Sequence, residues 1–137
     1  MLANPGRVLI VDDDAAVRDA LKFALEIEGL AVRVYASGAE LLADEMPSRG
    51  CVVIDYAMPA MNGLQVADAL RSRRIGLPTI LIAGNASGDL RARAAQAGFG
   101  QVLEKPLTDA ALIDGIRAAL GADPVSEAPR VSYRDRS

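Results

Sequence analysis

The 137-residue chain has no histidine and no tryptophan, one cysteine, three tyrosines, two phenylalanines and two lysines, Lys22 and Lys105. With so little aromatic bulk, a core has to be assembled from Val, Ile, Leu and Ala, and hydrophobic residues make up 51% of the chain. The lone Cys51 excludes an internal disulfide and, at the start of an apolar run, reads as a small buried hydrophobe in a reducing compartment. Net charge is −3 and no basic run occurs, which argues against direct nucleic-acid binding. The densest positive segment, Arg71-Ser72-Arg73-Arg74, reads as the solvated end of a helix. No stretch approaches the length of a membrane span, and Met1 to Arg7 lacks the apolar centre of a signal peptide, so the expectation is a cytoplasmic chain without a membrane partner.

The length suits one domain. Short apolar runs recur at Val8–Val11, Ala31–Tyr35, Val52–Ile54 and Thr79–Ile82, with a weaker one at Gln101–Leu103. Their continuous apolarity predicts strands buried on both faces, as in a parallel sheet. Helical periodicity fills the gaps. Val17, Leu21, Ala24 and Leu25 form one face of a first helix, opposite Arg18, Lys22 and Glu26, and Gly29 suits its C-terminal stop. Ser37 and Glu40 resemble a capping box for a second helix. Leu64, Ala67 and Leu70 mark a third; Leu112, Ile113, Ile116 and Leu120 mark a fifth, with Thr108 as N-cap. A fourth, from Ser87 to Ala97, offers only Leu90, Ala94 and Ala97 for burial and is expected to be mobile. Strict alternation with short connections predicts right-handed crossovers in an open doubly wound α/β sheet, spanning 1–120. The stretch 121–137, with Pro124, Pro129 and mixed charge, reads as a flexible tail or linker.

Ligands of such sheets bind beyond the carboxyl ends of the strands. There the first run stops on Asp12-Asp13-Asp14 and the third on Asp55. Carboxylates held a few ångström apart raise one another's pKa unless a cation sits among them, which suits a hard divalent ion or a phosphoryl group. Asp14 reads as the N-cap of the first helix, and Met58 and Met61 as packing residues. A flavin site is disfavoured because no loop is rich in Ser, Thr and Gly. A phosphatase of the haloacid-dehalogenase type would need Thr or Val two residues after an Asp-x-Asp, which Asp12-Asp13-Asp14-Ala15-Ala16 does not supply.

The acids after the first strand, the segment Asp55-Tyr56-Ala57-Met58-Pro59-Ala60-Met61-Asn62-Gly63 and Glu104-Lys105-Pro106 occur in an order that resembles the receiver domain of bacterial two-component response regulators, over Gly6 to Leu120. The resemblance implies a flavodoxin-like (βα)5 fold with strand order 2-1-3-4-5. It implies that Asp55 accepts a phosphoryl group from a phosphohistidine on a sensor histidine kinase or phosphotransfer protein. Mg²⁺ would be held by Asp13, Asp55 and the Ala57 carbonyl, with Asp12 acting through water. Lys105 would pair with Asp55 or the phosphoryl oxygens, and its bond to Pro106 would be cis. Such a chain is a phosphoacceptor assisting its own phosphotransfer and dephosphorylation, not a turnover enzyme, and it could pair with itself through the fourth and fifth helix region.

Two positions depart from that family. Ala83 stands where receivers usually carry Thr or Ser, and Val102 where they carry Tyr or Phe, so the usual hydroxyl–aromatic relay cannot form. Phosphorylation would then be transmitted by rearrangement of Gly84-Asn85-Ala86-Ser87 and the fourth helix. The alternative is an interaction module that signals without phosphate.

Overall fold

The computed structural model describes residues 6–121. Apart from Gly121, the stretch expected to form a tail lies outside the described residues. Ten elements alternate as expected: β1 (Arg7–Val11), α1 (Ala15–Ile27), β2 (Ala31–Tyr35), α2 (Gly38–Ala43), β3 (Gly50–Asp55), α3 (Gly63–Ser72), β4 (Thr79–Ala83), α4 (Gly88–Gln96), β5 (Gln101–Glu104) and α5 (Asp109–Leu120). The strands form one parallel sheet in the order β2-β1-β3-β4-β5.

Alternate side chains of each strand enter opposite layers. Leu9, Val11, Val52, Ile54 and Leu81 pack beneath α2, α3 and α4 with Leu41, Val66 and Leu70. Val8, Ile10, Val53, Ile80 and Ile82 pack beneath α1 and α5 with Leu25, Leu112 and Ile116. This two-sided burial accounts for the continuous apolar runs. Cys51 belongs to the second layer and is fully buried, and burial pushes its thiol up to about 12.

Caps fix where the helices begin. Asp14 Oδ1 accepts the Ala16 and Val17 amides, Ser87 Oγ accepts that of Leu90 and Thr108 Oγ1 that of Ala111. The capping box expected at Ser37 forms by half. Ser37 Oγ accepts the Glu40 amide at 3.1 Å, but Glu40 reaches one residue further back and accepts from Ala36 at 2.7 Å. The complete box is Asn62 with Gln65, at the start of α3. The positive segment that closes α3 is more than a solvated end. Arg73 donates to the Leu42 carbonyl at 2.6 Å and Arg71 to that of Gln96 at 3.0 Å, so two of its guanidinium groups tie α3 to the ends of α2 and α4. α4 buries only Leu90 and Ala94 along its length, the small apolar face read from the sequence.

The register places the site. Val11 of β1 lies opposite Ile54 of β3, so the residues that follow, Asp12 and Asp55, leave the sheet side by side at the point where the strand order reverses. Gly63 holds α3 against this end. Its amide donates to the Tyr56 carbonyl at 2.9 Å, and a Cβ there would lie 2.7 Å from Leu81 Cδ1 and 3.0 Å from the Asp55 carbonyl oxygen. Gly63→Ala should therefore destabilise the fold by about 1–3 kcal/mol through overpacking. The measurement is a lower urea midpoint with an unchanged slope; an unchanged midpoint would show that the loop moves aside freely.

Candidate functional site

Three carboxylates converge at the carboxyl edge of the sheet: one oxygen each from Asp12, Asp13 and Asp55, all within 4.8 Å of one another. Asp12 and Asp55 are buried, each 6% exposed, and Asp13 is open to solvent. Lys105, just beyond β5, brings its Nζ to 3.1 Å from Asp55 Oδ1. The strand ends expected to meet do meet, and the lysine that the resemblance implied stands among them.

The backbone around the acids is fixed from several sides. Asp12 donates its amide to the Tyr35 carbonyl at 3.1 Å and receives the Asp14 amide on Oδ1 at 2.9 Å. Arg18, assigned above to the polar face of the first helix, is half-buried instead, and its Nη1 donates to the Asp12 carbonyl at 2.8 Å. It lies one helical turn beyond the cap residue Asp14, which brings it back over the acidic turn. That spacing was the available signal. The Lys105 amide donates to the Ala83 carbonyl at 2.9 Å, which ties β5 to β4, and the bond from Lys105 to Pro106 is cis.

The remaining candidates surround this centre. Ala57 is exposed on the loop between β3 and α3. In the same loop Ala60 has φ +68°, and the Met61 amide donates to the Pro59 carbonyl across it at 2.7 Å, a tight turn in a sparsely populated conformation. Ala83 ends β4 with its methyl buried, and Gly84 and Asn85 follow it on the surface. Val102 is half-buried in β5 and packs against the layer beneath α4. Beside the acids, a cleft of about 240 Å³ runs between α1 and α5, walled by Val17, Leu21, Ile82 and Leu112, with Asp12 and Lys105 at its rim.

Burial raises the Asp55 pKa above the ordinary carboxylate range. The hydrogen bond from Lys105 opposes the rise, and the neighbouring charges of Asp12 and Asp13 add to it. The donors are all hard oxygens, two of them from buried groups, and the cluster carries more negative charge than one ammonium offsets. That chemistry fits a small divalent cation such as Mg²⁺, for which oxygen ligands are the preferred set.

A carboxyl whose pKa is higher in the folded than in the unfolded chain makes stability fall as pH rises through the interval between the two values. In Mg²⁺-free buffer, Asp55→Asn should therefore raise the melting temperature at neutral pH. The gain should vanish at about pH 4 and below, where the ordinary carboxylate is itself protonated. A variant no more stable than the parent at pH 7 would contradict this electrostatic picture.

Comparison with known proteins agrees with this geometry. The model of the response regulator receiver domain family matches residues 8–117. The chain is 41% identical over 115 residues to the transcriptional regulatory protein FixJ of Azorhizobium caulinodans, covering 83% of this chain and 54% of that protein. It is 38% identical over 118 residues to the C4-dicarboxylate transport transcriptional regulatory protein DctR of Rhodobacter capsulatus, covering 84% and 60%. It thus spans little more than half the length of these relatives. Among solved structures, the crystal structure of FixJ-N superposes with a TM-score of 0.78 at 31% identity, covering 90% of this chain and 98% of that one. A CheY-like receiver domain protein from Methanospirillum hungatei gives 0.76 at 30% identity, covering 84% and 93%. The chain belongs to the response regulator receiver domain family, whose members serve phosphorylation-based two-component signalling.

Proposed function

We propose that Asp55 is the phosphoacceptor of this receiver and that Lys105, Asp12 and Asp13 make the transfer possible. The observation that carries this reading is the 3.1 Å contact between Lys105 Nζ and a carboxylate that is 6% exposed and shares its pocket with two further acids. A carboxylate oxygen of Asp55 attacks phosphorus, the bond from phosphorus to the donor nitrogen of a phosphohistidine breaks, and an acyl phosphate remains on Asp55. The residues have little covalent work beyond the attack itself, so their task is placement and neutralisation of charge on the equatorial oxygens. Mg²⁺ would be held by Asp13, Asp55 and the Ala57 carbonyl, with Asp12 through water, and would supply positive charge where the phosphoryl oxygens gather. The Lys105 ammonium, a compact point charge, serves the carboxylate at rest and a phosphoryl oxygen afterwards. The product stays on the protein until it is hydrolysed, so the chain acts as a phosphoacceptor rather than a turnover enzyme.

The donor is a sensor histidine kinase or a phosphotransfer protein. The apolar cleft between α1 and α5 opens beside Lys105 and gives such a partner a seat next to the reactive carboxylate. Output takes the form of altered association, with a partner or with a second copy through the α4 and α5 region.

A second reading is favoured by one observation: neither Ala83 nor Val102 can form the relay expected of the family, so the fold could serve as an interaction module without phosphate. Acetyl phosphate with Mg²⁺, followed by intact mass, separates the two. We expect a single phosphate-sized increment that Asp55→Asn abolishes. No increment, or one that survives the substitution, supports the second reading.

Arg18 touches none of the reacting atoms, and its hydrogen bond to the Asp12 carbonyl makes it a positioning residue. Loss of such an outer contact typically weakens metal binding by about 10- to 100-fold. Arg18→Gln should weaken Mg²⁺ binding, followed by titration calorimetry, to the lower end of that range. Arg18→Lys should recover part of the loss, and equal affinity in all three proteins would assign Arg18 to folding alone.

A further inference from the structure

The segment between β4 and α4 is held by two side chains that the acidic pocket does not use. From α4, Arg91 donates through Nε to the Ala86 carbonyl at 3.1 Å and through Nη1 to the Val102 carbonyl at 3.4 Å, and its Nη2 lies 3.9 Å from Glu104 Oε1. Glu104, the last residue of β5, accepts the Ala86 amide on Oε2 at 3.3 Å. Ala86 is thereby gripped by both of its backbone groups. One anchor of the grip is the carbonyl of Val102, the position at which the expected aromatic ring is missing.

We propose that Arg91 and Glu104 form a polar latch that holds the β4–α4 loop in its resting place, and that phosphorylation of Asp55 releases it. The proposal rests on Asp55 being the phosphoacceptor. The latch takes the place of a hydroxyl–aromatic relay that Ala83 and Val102 cannot make.

The latch and the pocket share a strand end. Glu104 ends β5 and Lys105 follows it in a bend, and the two side chains reach different partners. Lys105 faces Asp55, and Glu104 faces the loop. The Lys105 amide is also bonded to the Ala83 carbonyl, at the root of that loop. A phosphoryl group on Asp55 moves the ammonium's partner outward and replaces a carboxylate of charge −1 with an acyl phosphate of roughly −1.5 to −2, a net gain of up to about one negative charge at the edge of the sheet. Both changes act on the 104–105 backbone and disfavour a second negative group, Glu104, close by.

The latch is weak enough to be thrown. Its ion pair joins side chains 49% and 48% exposed, and such pairs contribute little when isolated. A loop set by a few marginal contacts, next to a helix burying only two residues along its length, moves under a local change that would leave the core untouched.

The test uses the full chain, labelled with ¹⁵N, with Mg²⁺ and with or without beryllofluoride as a phosphoryl mimic. In the parent protein, beryllofluoride should shift the amides of Gly84 to Ser87 and speed exchange at Ala86. Glu104→Met should move the unliganded spectrum part of the way to the same positions and speed Ala86 exchange by roughly 2- to 10-fold, the scale of one lost hydrogen bond. Arg91→Met should do the same. The double variant should go little further than either alone, because both substitutions open one device. Loop amides unchanged in both variants would overturn the latch, as would a parent whose Ala86 amide ignores bound beryllofluoride. Failure of beryllofluoride to perturb the amides around Asp55 in the parent would overturn the phosphoacceptor assignment and the latch with it.

Discussion

The contact between the Lys105 ammonium and the buried carboxylate of Asp55 is the interaction on which this molecule's chemistry depends. A carboxylate removed from water and placed beside two others is in the least favourable setting an acid can occupy, and only a nearby cation makes the charged form tolerable. The balance is left incomplete: burial and the neighbouring acids still hold the Asp55 pKa above its ordinary value despite the lysine. That residual cost creates affinity for further positive charge. It would disfavour the metal-free state, the kind of local electrostatic frustration that marks functional positions.

The sheet was legible in the sequence because parallel strands are buried on both sides, and a chain poor in aromatics has only aliphatic runs with which to build them. Register then did for the site what no local pattern does. Val11 opposite Ile54 is a fact about two strands 43 positions apart, yet it follows once both runs are taken to stop at the same edge of the sheet. Asp12, Asp13 and Asp55 could be named for that reason, and Lys105 through the resemblance to receiver domains. Residues acting through backbone carbonyls could not. Arg18, Arg71, Arg73 and Arg91 reach the carbonyls of Asp12, Gln96, Leu42 and Ala86 respectively, and a carbonyl acceptor has no residue type to betray it. The same blindness explains Glu40. Its partner is a backbone amide, and whether that belongs to Ser37 or Ala36 depends on the path of the chain into α2.

The arginines share a further property. Each spans two elements that the sheet alone would leave loosely joined: β1 to α1, α3 to α4, α3 to α2, and α4 to the loop before it. A guanidinium can hold several acceptors in one plane without being deprotonated, so it suits this stitching better than lysine would. The chain's composition follows a division of labour on that basis. These four arginines serve the scaffold, and one of the two lysines, Lys105, stands in the pocket beside Asp55.

Contacts of unequal strength are distributed so that the molecule can respond without unfolding. The central strands β1, β3 and β4 are buried over nearly all their length and cannot shift without exposing apolar surface. Above β4 the chain has no such commitment. Gly84, Asn85 and Ser87 are exposed, α4 buries two residues, and the loop between is fastened by polar contacts that water can replace. A change in charge at Asp55 is too local to rearrange the layers and is strong enough to compete with contacts of that grade. With Ala83 and Val102 at the two positions, the segment adjoining the pocket is held by polar contacts, and Glu104 and Lys105, joined by one peptide bond, reach the loop and Asp55 respectively.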